Sequence, residues 1–136
     1  MDIGYFNGEG HSQSELTLAS IATLLEKGSV DGDQPARFVM ETVATDNLPQ
    51  KSGEVIQAVR RYLASLDRVD LSEQLLDSIG TFYRDEYKNL LGDSSRLTSN
   101  APSVIERKGR NEPGIDTGEL RDNAGFRTSK SGAVQK

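Results

Sequence analysis

Residues 114–127 read GIDTGELRDNAGFR: two glycines, an acidic pair and a threonine ahead of a lone leucine, then a short run ending in Phe126 and Arg127. Asp116 followed three residues later by Glu119 has the spacing of a helix N-cap with an acidic third residue, a pairing that satisfies free amides of the first turn. Thr117 is an alternative cap one residue later, and Gly118 permits close backbone approach. A phosphate cradle needs an extended glycine pattern and a lysine that are missing from this stretch. A catalytic Asp116 needs a histidine or a second carboxylate at a spacing that implies shared chemistry, and the sequence offers none nearby. The stretch is therefore a helix start, and "FRTSK" immediately after it reads as a strand.

Working back toward the N-terminus, residues 2–6, "DIGYF", form a second β-type run closed by the turn-rich "NGEG". In "SQSELTLASIATLLEKG", Ser12 and Glu15 have capping-box spacing. Leu18, Ile21, Leu24 and Leu25 fall on one helical face, with Gly28 at the C-cap. A loop follows to Pro35. A short helix is expected over 38–43, with Phe38, Val39 and Val43 inward, and "TDNLPQKSG" is expected to break it. Residues 54–68 carry the stripe Val55, Ile56, Val59, Tyr62, Leu63 and Leu66. After Asp70, a plausible N-cap, the longest helix carries Leu71, Leu75, Ile79, Phe82, Tyr83, Glu86 or Tyr87, and Leu90, and ends at Gly92. Gly80 inside it is up to about 1 kcal/mol less favourable than alanine, which marks a close contact. Beyond it the chain turns polar, apart from a short helix that Pro102 starts and Gly109 stops. One α+β domain over 1–128 is expected: three to four helices packed on a small antiparallel sheet, with long loops and a flexible tail at 129–136.

The whole sequence has 136 residues, no cysteine, a formal charge of −5, 35% hydrophobic and 6% aromatic residues. That length suits one domain of roughly 100–200 residues. Without cysteine there is no disulfide framework and no thiolate chemistry. The acidic balance opposes a sequence-independent grip on nucleic acid. No apolar run approaches the roughly 20 residues needed to span a bilayer. The N-terminus lacks the basic start of a signal peptide, so a soluble protein folded in a cytoplasm is expected. The low apolar content suggests that partner subunits complete part of the buried surface.

His11 is the sole histidine and reads as a solvated loop residue. Serine and threonine nucleophiles need an activating base, so catalysis is poorly supported. Asp85 and Glu86 read as a solvated helix face. Arg60, Arg61 and Arg68, and "ERKGR" at 106–110, read as salt-bridged surface, with partner contact as the alternative. No cofactor and no metal site is expected.

Three segments, in order along the chain, resemble the virion morphogenesis (tail-completion, or neck) proteins of tailed bacteriophages. In "ASIATLLEKG" the matching residues are Ala19, Ile21, Ala22, Glu26 and Gly28; "QPARF" follows at 34–38. The third, "PSVIERKGRNEPGIDTGELRDNAGFR", is the most specific: Pro102, Ile105, Arg107, Lys108, Gly109, Pro113, Ile115, Asp116, Thr117, Gly118 and Leu120 match. Lys27 in place of an aromatic, the missing proline after Arg37, Gly114, and Asn123–Ala124 depart from the pattern. The resemblance implies a non-enzymatic virion component at the head–tail junction, assembled in the host cytoplasm as a six-fold or twelve-fold ring. Other neck and tail proteins would be its partners, and DNA would pass through without specific binding. A tail terminator or a head-closure protein is the near alternative, and a small hydrolase using Asp116 the distant one. Arg37, Phe38, Arg107, Lys108, Gly109, Asp116, Thr117, Gly118 and Leu120 are then structural-motif and interface candidates.

Overall fold

A computed structural model describes residues 1–6, 8–64, 71–115, 117–128 and 132–136, and within its helices not the side chains of Leu48, Leu71 and Ser72. The architecture is α+β. Strand β1 (Asp2–Gly4) pairs antiparallel with β2 (Gly125–Arg127), in the register Asp2↔Arg127, Ile3↔Phe126 and Gly4↔Gly125. The chain's two ends thus form the sheet, as the β-type runs suggested. Between them lie α1 (Leu18–Lys27), α2 (Val39–Thr42), α3 (Leu48–Gln50), α4 (Ser52–Leu63), α5 (Leu71–Leu90), α6 (Pro102–Lys108) and α7 (Glu119–Asn123). That is more helices than the three to four expected. None among the described residues is long and apolar enough to cross a membrane.

Helix α1 begins at Leu18, later than the Ser12–Glu15 spacing predicted. Thr17 is its N-cap, with Oγ1 accepting from Ser20 N at 3.2 Å. Ser12 is drawn elsewhere, to Glu119. The Gly28 cap is as expected: φ is +75° and its N–H reaches Leu24 O at 2.8 Å. The break predicted at "TDNLPQKSG" comes late in that stretch, at Lys51 (φ −106°, ψ +18°), which separates α3 from α4. Residues Val43–Asn47 form a π-turn that continues α2 into α3, and Pro49 sits in the first turn of α3, where a missing N–H does no harm. The N-cap expected at Asp70 and the stripe position Leu66 lie outside the described residues.

The core joins α1, α2 and the π-turn to α5 and α7 through Leu18, Val39, Val43, Tyr87, Leu90, Leu97, Ile115 and Leu120. Helix α4 packs chiefly on α5, so only part of its apolar stripe is covered: Val55, Val59 and Tyr62 are half-buried, Ile56 and Leu63 remain exposed, and the buried residue is Ala58, outside the expected stripe. Helix α5 buries Tyr87 rather than leaving a free choice with Glu86, yet Glu86 is only 8% exposed as well. It is not part of a solvated face. Its carboxylate accepts from Asn47 Nδ2 at 2.8 Å and pairs with Lys51, and Asn47 in turn accepts from Arg96. Buried charge of this kind persists only when its lone pairs are met.

Gly80 explains itself through β2. A Cβ built there would lie 2.3 Å from Cδ2 of Phe126, whose ring is fully buried against this turn of α5, with the Arg84 guanidinium 5.5 Å from the ring centroid. Residues 132–136, within the stretch expected as a tail, make contacts with the rest of the chain. Gln135 bridges Phe126 on the side opposite Ile3, with N–H···O bonds of 2.9 and 2.8 Å, and its side chain reaches Asp77. The edge of β2 recruits these residues because its backbone donors and acceptors otherwise face solvent.

Candidate functional site

A cavity of about 230 Å³ opens between α1, the 33–37 loop, α6 and the segment before α7. Six of the nine candidate residues line it: Arg37, Arg107, Lys108, Thr117, Gly118 and Leu120. Its floor is apolar, from Ile21, Leu25, Ile115 and Leu120, and its wall is basic. Asp33 is the acid among its described lining residues.

Arg37 is the most buried cation at this wall, 6% exposed. Its Nε donates to Thr98 O at 3.0 Å and its Nη2 to Asn100 Oδ1 at 3.1 Å, so two loops distant in sequence are tied together. No carboxylate pairs with it among the described residues, and burial pulls its guanidinium below the usual range. The bond from Arg37 fixes which end of the Asn100 amide is which. The remaining end, Nδ2, is buried with no acceptor among the described residues. The side chain of Arg107, exposed in the last turn of α6, makes no hydrogen bond or ion pair among the described residues. Lys108 donates to Ile115 O and so closes the cavity floor.

Helix α6 holds these cations where its sequence signals said it would. Pro102 opens it and Gly109, at φ +71°, ends it with N–H···O to Ile105 at 2.7 Å. The polar stretch that carries α6 is anchored to the rest of the chain at both ends. Leu97 and Pro113 are buried in the protein's own core, and Gly92 N–H bonds to Pro113 O at 2.8 Å. The 93–113 stretch is therefore pinned within the chain, whereas residues 30–34 stay exposed.

Phe38 does not point inward as expected. It is 50% exposed, with φ +49° and ψ +46°, the sole non-glycine residue with positive φ among those described. Left-handed backbone at a bulky side chain is unfavourable by roughly 1–2 kcal/mol. The turn is held because Glu26, at the end of α1, accepts from Met40 N at 2.9 Å and Glu41 N at 3.1 Å, which caps α2 from outside. The reversal buries Arg37 and Val39 and presents the Phe38 ring to solvent.

The helix start at residues 114–127 is where it was read, with α7 opening at Glu119. Asp116, the first choice of cap, lies outside the described residues. Gly118, at φ +87°, is the N-cap and brings no side chain to the task. Thr117, one residue before the cap, accepts from Glu119 N through Oγ1 at 3.4 Å. Glu119 is held by Ser12, whose N–H donates at 2.9 Å and whose hydroxyl also donates; these bonds lower its pKa.

Sequence spacing missed one neighbour. His11 Nε2 lies 3.3 Å from Thr117 Oγ1, across 106 residues of chain. A hydroxyl beside a histidine is the geometry of an activated nucleophile, but the tautomer is wrong for it. His11 Nδ1 accepts from Gln13 N at 3.1 Å, so the neutral ring carries its proton on Nε2 and donates it to Thr117. It holds the threonine in place instead of drawing off its proton. No group of three or more metal-type side chains assembles among the described residues.

Compared with models of known protein families, with curated proteins and with solved structures, the chain matches none.

Proposed function

We propose that this chain is a structural protein of a tailed bacteriophage that acts at the head–tail junction, assembling as a ring that helps join tail to head. The observation that carries the reading is the stretch from Pro102 to Leu120, whose resemblance to tail-completion proteins is the most specific in the sequence. Its residues Arg107, Lys108, Thr117, Gly118 and Leu120 converge with Arg37 on a single cavity. Beside them His11 Nδ1 accepts from Gln13 N, so the neutral ring donates through Nε2 to Thr117, which favours a structural role for that threonine. A closed ring is a heterologous assembly, which requires two different complementary surfaces on each subunit. Phe38, held outward against its backbone preference, supplies an apolar ring for such a contact, and the exposed 30–34 loop lies a few residues before it. An acidic ring around passing DNA repels the duplex and lets it slide.

Electron microscopy of a deletion lysate tests this. Packaging and tube polymerisation fall to other components, so filled heads and tails of normal length that fail to join are expected. Tails of irregular length would move the protein to the terminator class. Joined, infectious particles would overturn the structural reading.

A further inference from the structure

We infer that the Arg37–Arg107 cavity receives a carboxylate side chain from a neighbouring copy of this chain, presented by the acidic groove between α4 and α5. The inference rests on the ring reading above for its closed geometry and names the contact that closes it.

The cavity is built to accept an anion. Among the described residues, buried Arg37 has neutral partners alone, the buried donor Asn100 Nδ2 has no acceptor, and the Arg107 side chain at the rim has no hydrogen-bond or ion-pair partner. Buried donors of this kind are ordinarily satisfied. A carboxylate offers several acceptor sites and matches a planar guanidinium in shape. The cavity, at about 230 Å³, has room for one or two side chains and not for a large ligand.

The matching surface is on the same molecule. A shallow groove between α4 and α5 is lined by Glu54, Asp77, Asp85 and Glu86, with Lys51 as its described cation, already paired to Glu86. The Glu54 carboxylate makes no hydrogen bond or close ion pair among the described residues, its charge only helping to raise the Lys51 pKa, and Asp85 hydrogen-bonds only its neighbour Arg84 while remaining half exposed. The groove lies away from the cavity. Helix α5 turns Tyr83 and Tyr87 to the core that floors the cavity, and Asp85 stands about 200° around the helix from Tyr83. One basic recess and one acidic groove on opposite sides are what a head-to-tail contact needs. A polyanion such as DNA is the poorer occupant for a chain of net charge −5.

The full chain is tested by sedimentation at low and high salt. Self-association is expected at low salt and should weaken at high salt. Arg107→Glu should weaken it at least about tenfold, as should Glu54→Lys with Asp85→Lys, a modest effect for close charge pairs. All three substitutions in one chain should restore it, which also shows that each variant folds. Because the chain has no cysteine, Arg107→Cys with Asp85→Cys should give a ladder of disulfide-linked copies on oxidation. A wild type that stays monomeric, an unaltered association in the single-face variants, or no ladder would each overturn the pairing. Loss of duplex-DNA binding in Arg107→Glu with association intact would assign the cavity to nucleic acid and overturn it too. These outcomes leave the head–tail reading to the deletion lysate, where it fails or survives separately.

Discussion

Replacing Gly80 by alanine sets two effects of known size against each other. In a free helix the change is favourable by up to about 1 kcal/mol, since glycine carries excess backbone entropy. Here the added Cβ would lie 2.3, 2.6 and 2.7 Å from three ring atoms of Phe126, where ordinary contact begins near 3.4 Å. The ring would have to retreat by about an ångström. It has nowhere to go: it is fully buried, and its backbone is paired to Ile3 on one side and Gln135 on the other. Overpacking of this kind destabilises by about 1–3 kcal/mol. The net expectation is a loss of about 1–2 kcal/mol, or a fall in Tm of roughly 3–8 °C for a domain of this size. Thermal melts of Gly80→Ala alone and with Phe126→Leu make the test. In the Phe126→Leu background the shorter side chain yields, so Gly80→Ala should be neutral or stabilising, with a coupling energy above 0.5 kcal/mol. A rise in Tm for Gly80→Ala alone would refute the contact and, with it, the placement of β2 on α5.

Tyr5→Phe should lower stability by about 1–3 kcal/mol in a urea titration, because Tyr5 Oη donates to Leu120 O at 2.7 Å and the change leaves that carbonyl without its side-chain donor. Burial raises the Tyr5 hydroxyl pKa strongly and that of Tyr87 to about 12, so neither should ionise in a spectrophotometric titration until the protein unfolds. Glu119 has a folded pKa below its ordinary 4.5, chiefly through the Ser12 hydroxyl. Its contribution is therefore complete above the ordinary value and is lost as pH falls through the depressed one. Melts recorded from neutral to acid pH should show less acid destabilisation for Glu119→Gln than for the wild type.

Signals confined to one stretch of chain were legible in the sequence. Pro102 and Gly109 bracket α6, Gly28 closes α1, and the β-type runs at the two ends are strands, because caps and local patterning act within a few residues. Gly80 announced a close approach without saying what approached. What failed was set at long range. Ser12 fits a capping box, but Glu119, 107 residues away, takes its donors, and Thr17 caps α1 instead. Glu86 looks like a surface acid until Asn47 and Lys51 are brought to it by the π-turn. Phe38 sits in an apolar pattern, yet the Glu26 cap on α2 turns it outward. The cavity itself was visible only as separate pieces, "QPARF" and the 102–120 stretch, since its unity depends on Arg37 reaching Thr98 and Asn100.

The central claim is a position in a virus particle, and position can be seen. On the proposed reading this chain is part of a phage particle, and such particles, purified, labelled with gold-conjugated antibody against it and imaged by electron microscopy, should carry label at the junction of head and tail. Particles without label, or label spread over heads, tail shafts or fibres, would contradict it.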